Sequence, residues 1–220
     1  MDLRSKCPPV YDQGQLGSCT ANAIAAAIQF DRMKQKLKPA FAPSRLFIYY
    51  NERAMEGTVG TDSGAMIRDG IKSVAQQGDC NEKSWPYNPA KFTQKPGPAC
   101  YKEAAKYKAV QYQRVARNLT QMKGCVASGF PFVFGFTVYD SFEADEVART
   151  GVLKMPATTE KVLGGHAVLA VGYDESDQCF IVRNSWGTGW GMKGYFKMPY
   201  AYFTDTNLSD DFWTIRLIAA

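Results

Sequence analysis

The chain contains one histidine, His166, in 220 residues. A zinc site of several Cys and His ligands is therefore not expected, and none of the six cysteines has a partner at CxxC spacing. No apolar run approaches the ~20 residues that a helix needs to cross a bilayer. The N-terminus also lacks the charged-then-apolar build of a secretory signal. There is no basic block either: the net charge of +5 is spread along the sequence, which describes a solvated surface and not a nucleic-acid-binding face. Low-complexity tracts are missing too. With 45% hydrophobic and 13% aromatic residues, the chain can bury a substantial core in one compact unit of one or two lobes. These absences lead us to expect no cofactor, no metal, no nucleic acid, no membrane partner, and a monomer.

The most informative residue present is Cys19, in Gln13-Gly14-Gln15-Leu16-Gly17-Ser18-Cys19-Thr20-Ala21, directly before an alanine-rich helical stretch. A cysteine that opens a helix receives unpaired backbone N–H groups and the positive end of the helix dipole, and both favour thiolate. His166, in Leu163-Gly164-Gly165-His166-Ala167-Val168, supplies a base. Asn184, in Asn184-Ser185-Trp186-Gly187, supplies an amide that can orient an imidazole. Taken singly, Cys19 reads as an inert buried thiol, His166 as a satisfied core residue, Gln13 as a turn residue and Trp186 as core. Order and spacing change this. The interval of 147 residues from Cys19 to His166 fits the ~130–150 residues that separate nucleophile and base in one well-known class of thiol enzymes.

At these residues the sequence resembles the papain-like cysteine peptidases. Gln13 stands six before Cys19, Gly165-His166-Ala167 matches the family's histidine segment, and Asn184-Ser185-Trp186-Gly187-Thr188-Gly189-Trp190-Gly191 with Gly194-Tyr195 is the most specific string. Two positions depart from the pattern: Leu16 and Thr20 stand where the family usually has a disulfide-bonded cysteine and a tryptophan. Neither removes a catalytic atom, so the expectation is a divergent member with a bacterial source. The resemblance implies a cysteine endopeptidase working through a thiolate–imidazolium pair and an acyl-enzyme. Cys19 would be nucleophile, His166 base and acid, Asn184 orienter and Gln13 oxyanion donor, with Trp186 as the shield of the site. Gly64, Ala65, Met66, Gly164 and Gly165 would bind substrate, with Met66 and Gly164 giving a roomy apolar pocket. The implied partners are a protein or peptide substrate and an inhibitory pro-segment absent from this chain, with a secreted or otherwise extracytoplasmic location. The same triad would also serve a transpeptidase or ligase, and the fold a catalytically silent binding protein.

Hydrophobic periodicity predicts helices over Cys19 to about Lys34, after Ser44, over about Ala65 to Gln77, and over about Leu119 to Ala127. Runs rich in Val, Ile, Phe and Tyr predict strands at Tyr107–Val115, Pro131–Tyr139, His166–Tyr173, Cys179–Asn184 and Gly194–Met198. Helices first and strands later give an α+β class. By the resemblance, it is a papain-like two-lobe fold in a single catalytic domain: a helical lobe over about 11–105, and a β-rich lobe over about 106–210 joined by the N-terminal segment, with the cleft between. Setting Cys19 aside leaves five cysteines. Cys80 and Cys100 flank a Pro-rich loop and are the expected bridge, although sequence alone does not fix connectivity.

Overall fold

In a computed structural model, which describes residues 1–219, the first half is helical and the second half is one antiparallel sheet. Helix α1 (Cys19–Lys34) is buried on nearly every side, from Thr20 through Ile28 and again at Phe30. Its five alanines let it run close between the sheet and two further helices, α2 (Arg45–Glu56) and α3 (Ile67–Gln76). Helix α2 starts where Ser44 Oγ accepts from the Phe47 amide at 3.1 Å, and it stops at Gly57 in the left-handed region. Just past α3, Gly78 has φ +80° and leaves no room for a side chain, since a Cβ would lie 1.8 Å from the Ala104 carbonyl oxygen. A short α4 (Pro98–Ala104) closes this half.

The sheet holds β1 (Ala109–Arg114), β2 (Phe132–Tyr139), β3 (Val162–Asp174), β4 (Cys179–Arg183), β5 (Tyr195–Pro199) and β6 (Ser209–Ile218), in the order β1-β6-β2-β3-β4-β5. Helices α5 (Leu119–Ala127), α6 (Asp145–Thr150) and α7 (Tyr200–Thr204) fill its connections. Phe132, Phe134, Phe180, Phe203 and Phe212 pack ring against ring in its core. The expected helices and the five expected strands are present, and β6 is added between β1 and β2, extending the β-rich part to Ile218.

The N-terminal segment belongs to the sheet side. The Leu3 amide donates to the Val171 carbonyl at 2.9 Å, and the Gln13 amide to Ser185 at 2.9 Å. One expectation fails: Cys80 and Cys100 do not form a bridge, and all six cysteines are free. Both thiols are buried, with Cys80 held beside Cys100, and burial pushes the Cys80 thiol far above its ordinary range.

Candidate active site

A cleft of about 640 Å³ opens where α1 meets β3, and Gln13, Cys19, Gly165, His166 and Trp186 all line it. Cys19 is the first residue of α1. No side chain caps that helix: Ser18 Oγ is shared instead with the Tyr87 hydroxyl (2.6 Å) and the Asn22 amide (3.0 Å). The open helix end therefore points at the sulfur, which lies within reach of the amides of Thr20 and, from the sheet side, Ala167.

His166 is nearly buried, at 7% exposure, and Nε2 lies 2.8 Å from Asn184 Oδ1. The same oxygen accepts from the Ser185 amide at 2.8 Å, which fixes which end of the side chain is oxygen. Nε2 must then carry the hydrogen, leaving Nδ1 with a lone pair. The Trp186 ring stacks on the imidazole at 5.0 Å with 28° between planes. Phe136 and Phe142 meet its other sides at 5.7 and 6.2 Å.

These aromatic walls exclude water, and their burial sets the electrostatics. His166 is pushed down to about 4, with the Asn184 bond opposing the shift. Burial likewise pushes the Cys19 thiol up to about 11, partly offset by the amides of Ala167 and Thr20. Neither group carries a lone charge cheaply, so charge separation has to come from passing a proton between them. Among the described residues no hydrogen bond joins the sulfur to the ring, and contacts of this kind commonly tighten only once substrate is bound.

Gln13 reaches the site from the loop before α1. Its Oε1 accepts from Ser185 Oγ at 2.6 Å and its Nε2 donates to the Leu16 carbonyl at 3.0 Å, which leaves one N–H of the amide uncommitted. Sequence reasoning did not single out Ser185, because a lone serine inside a longer motif carries no separate signal.

Gly64, Ala65 and Met66 also line the cleft, and Gly64 holds φ +70°. Gly164 does not line it: it is exposed near the start of β3, with open space where a Cβ would stand. Nor is the cleft simply apolar, since Asp62, Asp210 and Asp211 line it and no Lys or Arg does. Asp62 accepts from the Gly17 amide (3.0 Å) and from the Tyr49 hydroxyl, and Asp211 from the Trp213 indole (2.6 Å) and the Arg68 amide (3.2 Å). Asp211 has φ +59° in an irregular stretch of the β2–β6 pairing, a device that re-aims a side chain. Among the described residues no group of His, Cys, Asp and Glu is arranged to hold a metal, and no helix is long and apolar enough to cross a membrane.

Residues 1–211 match the profile described as papain family cysteine protease. The chain belongs to that family. Xylellain, a cysteine protease from Xylella fastidiosa, superposes with a TM-score of 0.89 at 48% identity, covering 98% of this chain and 90% of that one. An uncharacterized peptidase C1-like protein of Acanthamoeba polyphaga mimivirus is 50% identical over 213 residues, 93% of this chain and 68% of the relative. Cysteine proteinase 1 of Entamoeba histolytica is 31% identical over 209 residues, 89% of this chain and 61% of the relative. The expected papain-like fold is thus what this family member has, and peptide-bond hydrolysis by a cysteine is the chemistry of its family.

Proposed function

We propose that this chain is a cysteine endopeptidase in which Cys19 attacks the scissile carbonyl and His166 first takes the thiol proton, then gives it to the departing amine. The observation that carries this reading is the meeting of Cys19, at an uncapped helix end, with an imidazole whose Nε2 is tied to Asn184 and whose Nδ1 is left free. A peptide amide needs a strong nucleophile, a proton donor for the amine and a place for oxyanion charge. The free N–H of Gln13 and the Cys19 amide supply that place. Water then hydrolyses the acyl-enzyme, with His166 again as base. The single histidine argues against exopeptidase trimming that grips a terminal carboxylate with additional imidazoles.

Substrates with a basic side chain near the cut fit this cleft best. Asp62 and Asp211 are held by neutral donors and have no cation within salt-bridge distance among the described residues, so their charge is fixed in place and not cancelled. Asp210 is different, being paired with Arg117 at 3.1 Å.

A peptide-library cleavage profile tests both statements. We expect cleavage that Cys19→Ala abolishes, with Lys or Arg enriched close to the cut, and an enrichment that Asp211→Asn lowers about tenfold. Full cleavage by Cys19→Ala would refute the peptidase reading, and a profile indifferent to charge would refute only the preference.

A further inference from the structure

Glu52 is a fully buried carboxyl that the catalytic steps above do not use. It lies on α2, and its Oε1 accepts from Thr20 Oγ at 2.5 Å. Thr20 follows the nucleophile directly, is itself buried at 3% exposure, and lines the cleft. The other oxygen, Oε2, has no hydrogen-bond partner. It lies against the Cα face of Gly70 on α3, where a Cβ would come within 2.5 Å of it and within 2.4 Å of Ile24 Cδ1. A side chain at position 70 would have to displace both Ile24 and the acid, so α1, α2 and α3 meet closely around Glu52.

We propose that Glu52 is a positioning residue for the nucleophile, pinning the first turn of α1 through Thr20 and coupling its own charge to the thiolate. This rests on the peptidase reading above. The Thr20 amide is one of the groups that reach the Cys19 sulfur, so the bond from Thr20 Oγ to Glu52 holds a donor to the thiolate in place.

The charge state follows from what faces the carboxyl. Arg53, its neighbour on α2, is committed to the carbonyls of Tyr49, Val59, Thr61 and Phe92. Glu56 on α2 and Asp69 on α3 add negative charge, and α1 presents Cys19 and Thr20, no cation. Burial pushes Glu52 up to about 8 and the like charges of Glu56 and Asp69 add to it, with the Thr20 bond and the Arg53 charge opposing. Below about pH 8 the acid is therefore neutral. Once ionised, it raises the proton affinity of the Cys19 sulfur. The coupling gives an alkaline limit on activity that the Cys–His pair alone does not impose.

Glu52→Gln keeps an acceptor for Thr20 and removes the charge; Thr20→Val keeps the acid and removes the bond. The rate of Cys19 alkylation by iodoacetamide between pH 6 and 10 reads the thiolate without needing a substrate, and kcat/KM on a cleaved peptide is followed in parallel. Between pH 9 and 10, where the wild-type acid is ionised, we expect Cys19 of Glu52→Gln to be alkylated at least about threefold faster than in wild type, and the alkaline limb of kcat/KM to move up. Thr20→Val should lose about tenfold in kcat/KM across the range. Superimposable pH profiles for wild type and Glu52→Gln would overturn the coupling, and unchanged kcat/KM in Thr20→Val would overturn the pinning. An inactive wild type with the expected alkylation difference would instead count against the peptidase reading alone.

Discussion

His166 and Cys19 face one cleft from environments of opposite character. The imidazole is enclosed by the rings of Trp186, Phe136 and Phe142, and Phe142 in turn packs on Trp190 and Phe196. The sulfur stands on a polar helix start held by hydrogen bonds, with Ser18 to Tyr87, Thr20 to Glu52 and Gln13 to Ser185. Aromatic packing is rigid and water-excluding, so it sets the proton affinity of the base. Hydrogen bonds are directional, so they aim the amides that receive negative charge. Damage to the ring side should therefore move the acid limb of the pH profile, whereas loss of a hydrogen bond on the polar side should lower the rate and leave that limb in place.

Gln13→Ala gives the largest effect that separates the two sides. Its amide acts only when oxyanion charge develops, and removing one such donor costs about 10²–10³ in kcat. KM and the acid limb should stay where they are. Steady-state kinetics across pH checks this, and a shifted acid limb in Gln13→Ala would break the division of labour.

Phe142→Ala attacks the ring side. Phe142 is fully buried, so the cavity should cost about 3–5 kcal/mol of stability. Water entering behind the imidazole relieves the burial that holds His166 down at about 4, so the acid limb of kcat/KM should move upward toward the ordinary 6.5. The sign for stability follows from the same depression. Between about 4 and 6.5 the unfolded chain binds the His166 proton and the native one does not, so the His166 contribution to stability rises with pH across that window and falls on acidification, while buried carboxyls such as Glu52, raised in the native state, contribute in the opposite sense. Chemical denaturation at pH 4 and 7 measures it, and the difference should shrink in Phe142→Ala.

Much of this arrangement could be read along the chain, and the rest fails for identifiable physical reasons. Helix α1 shows in the spacing of its apolar residues, and helix α2 in Ser44, whose Oγ accepts from the Phe47 amide at 3.1 Å. Strand β6 hides because it begins Ser209-Asp210-Asp211, which reads as a turn, and its apolar alternation starts only at Phe212. Helix α4 hides behind Pro98, which suits a first helical position as well as it suits a loop. At the site, Gln13, Cys19, His166 and Asn184 each lie in a local string with its own pattern, and the fold gathers them. Asp210, Asp211, Phe142 and Glu52 lie in no such string. They reach the cleft or its supports only through strand register and helix packing, which no local pattern encodes.

The smallest expected effect makes the sharpest test of the comparison, because it falls on the seam between the two sides. Ser185 belongs to the Asn184 motif by sequence, yet its hydroxyl donates to Gln13 Oε1 at 2.6 Å, across to the loop that precedes α1. Its main chain is tied at the same place, since the Gln13 amide donates to the Ser185 carbonyl. Ser185→Ala therefore leaves the loop attached and removes only what orients the Gln13 amide. One neutral hydrogen bond is worth about 0.5–1.5 kcal/mol, so kcat should fall by about two- to tenfold with KM unchanged. The double variant with Gln13→Ala should be no slower than Gln13→Ala alone, because the hydroxyl acts only through that amide. Additive losses would mean that Ser185 supports the His166–Asn184 side as well, and the separation between a proton-tuning wall and a charge-aiming wall would not hold at the point where they touch.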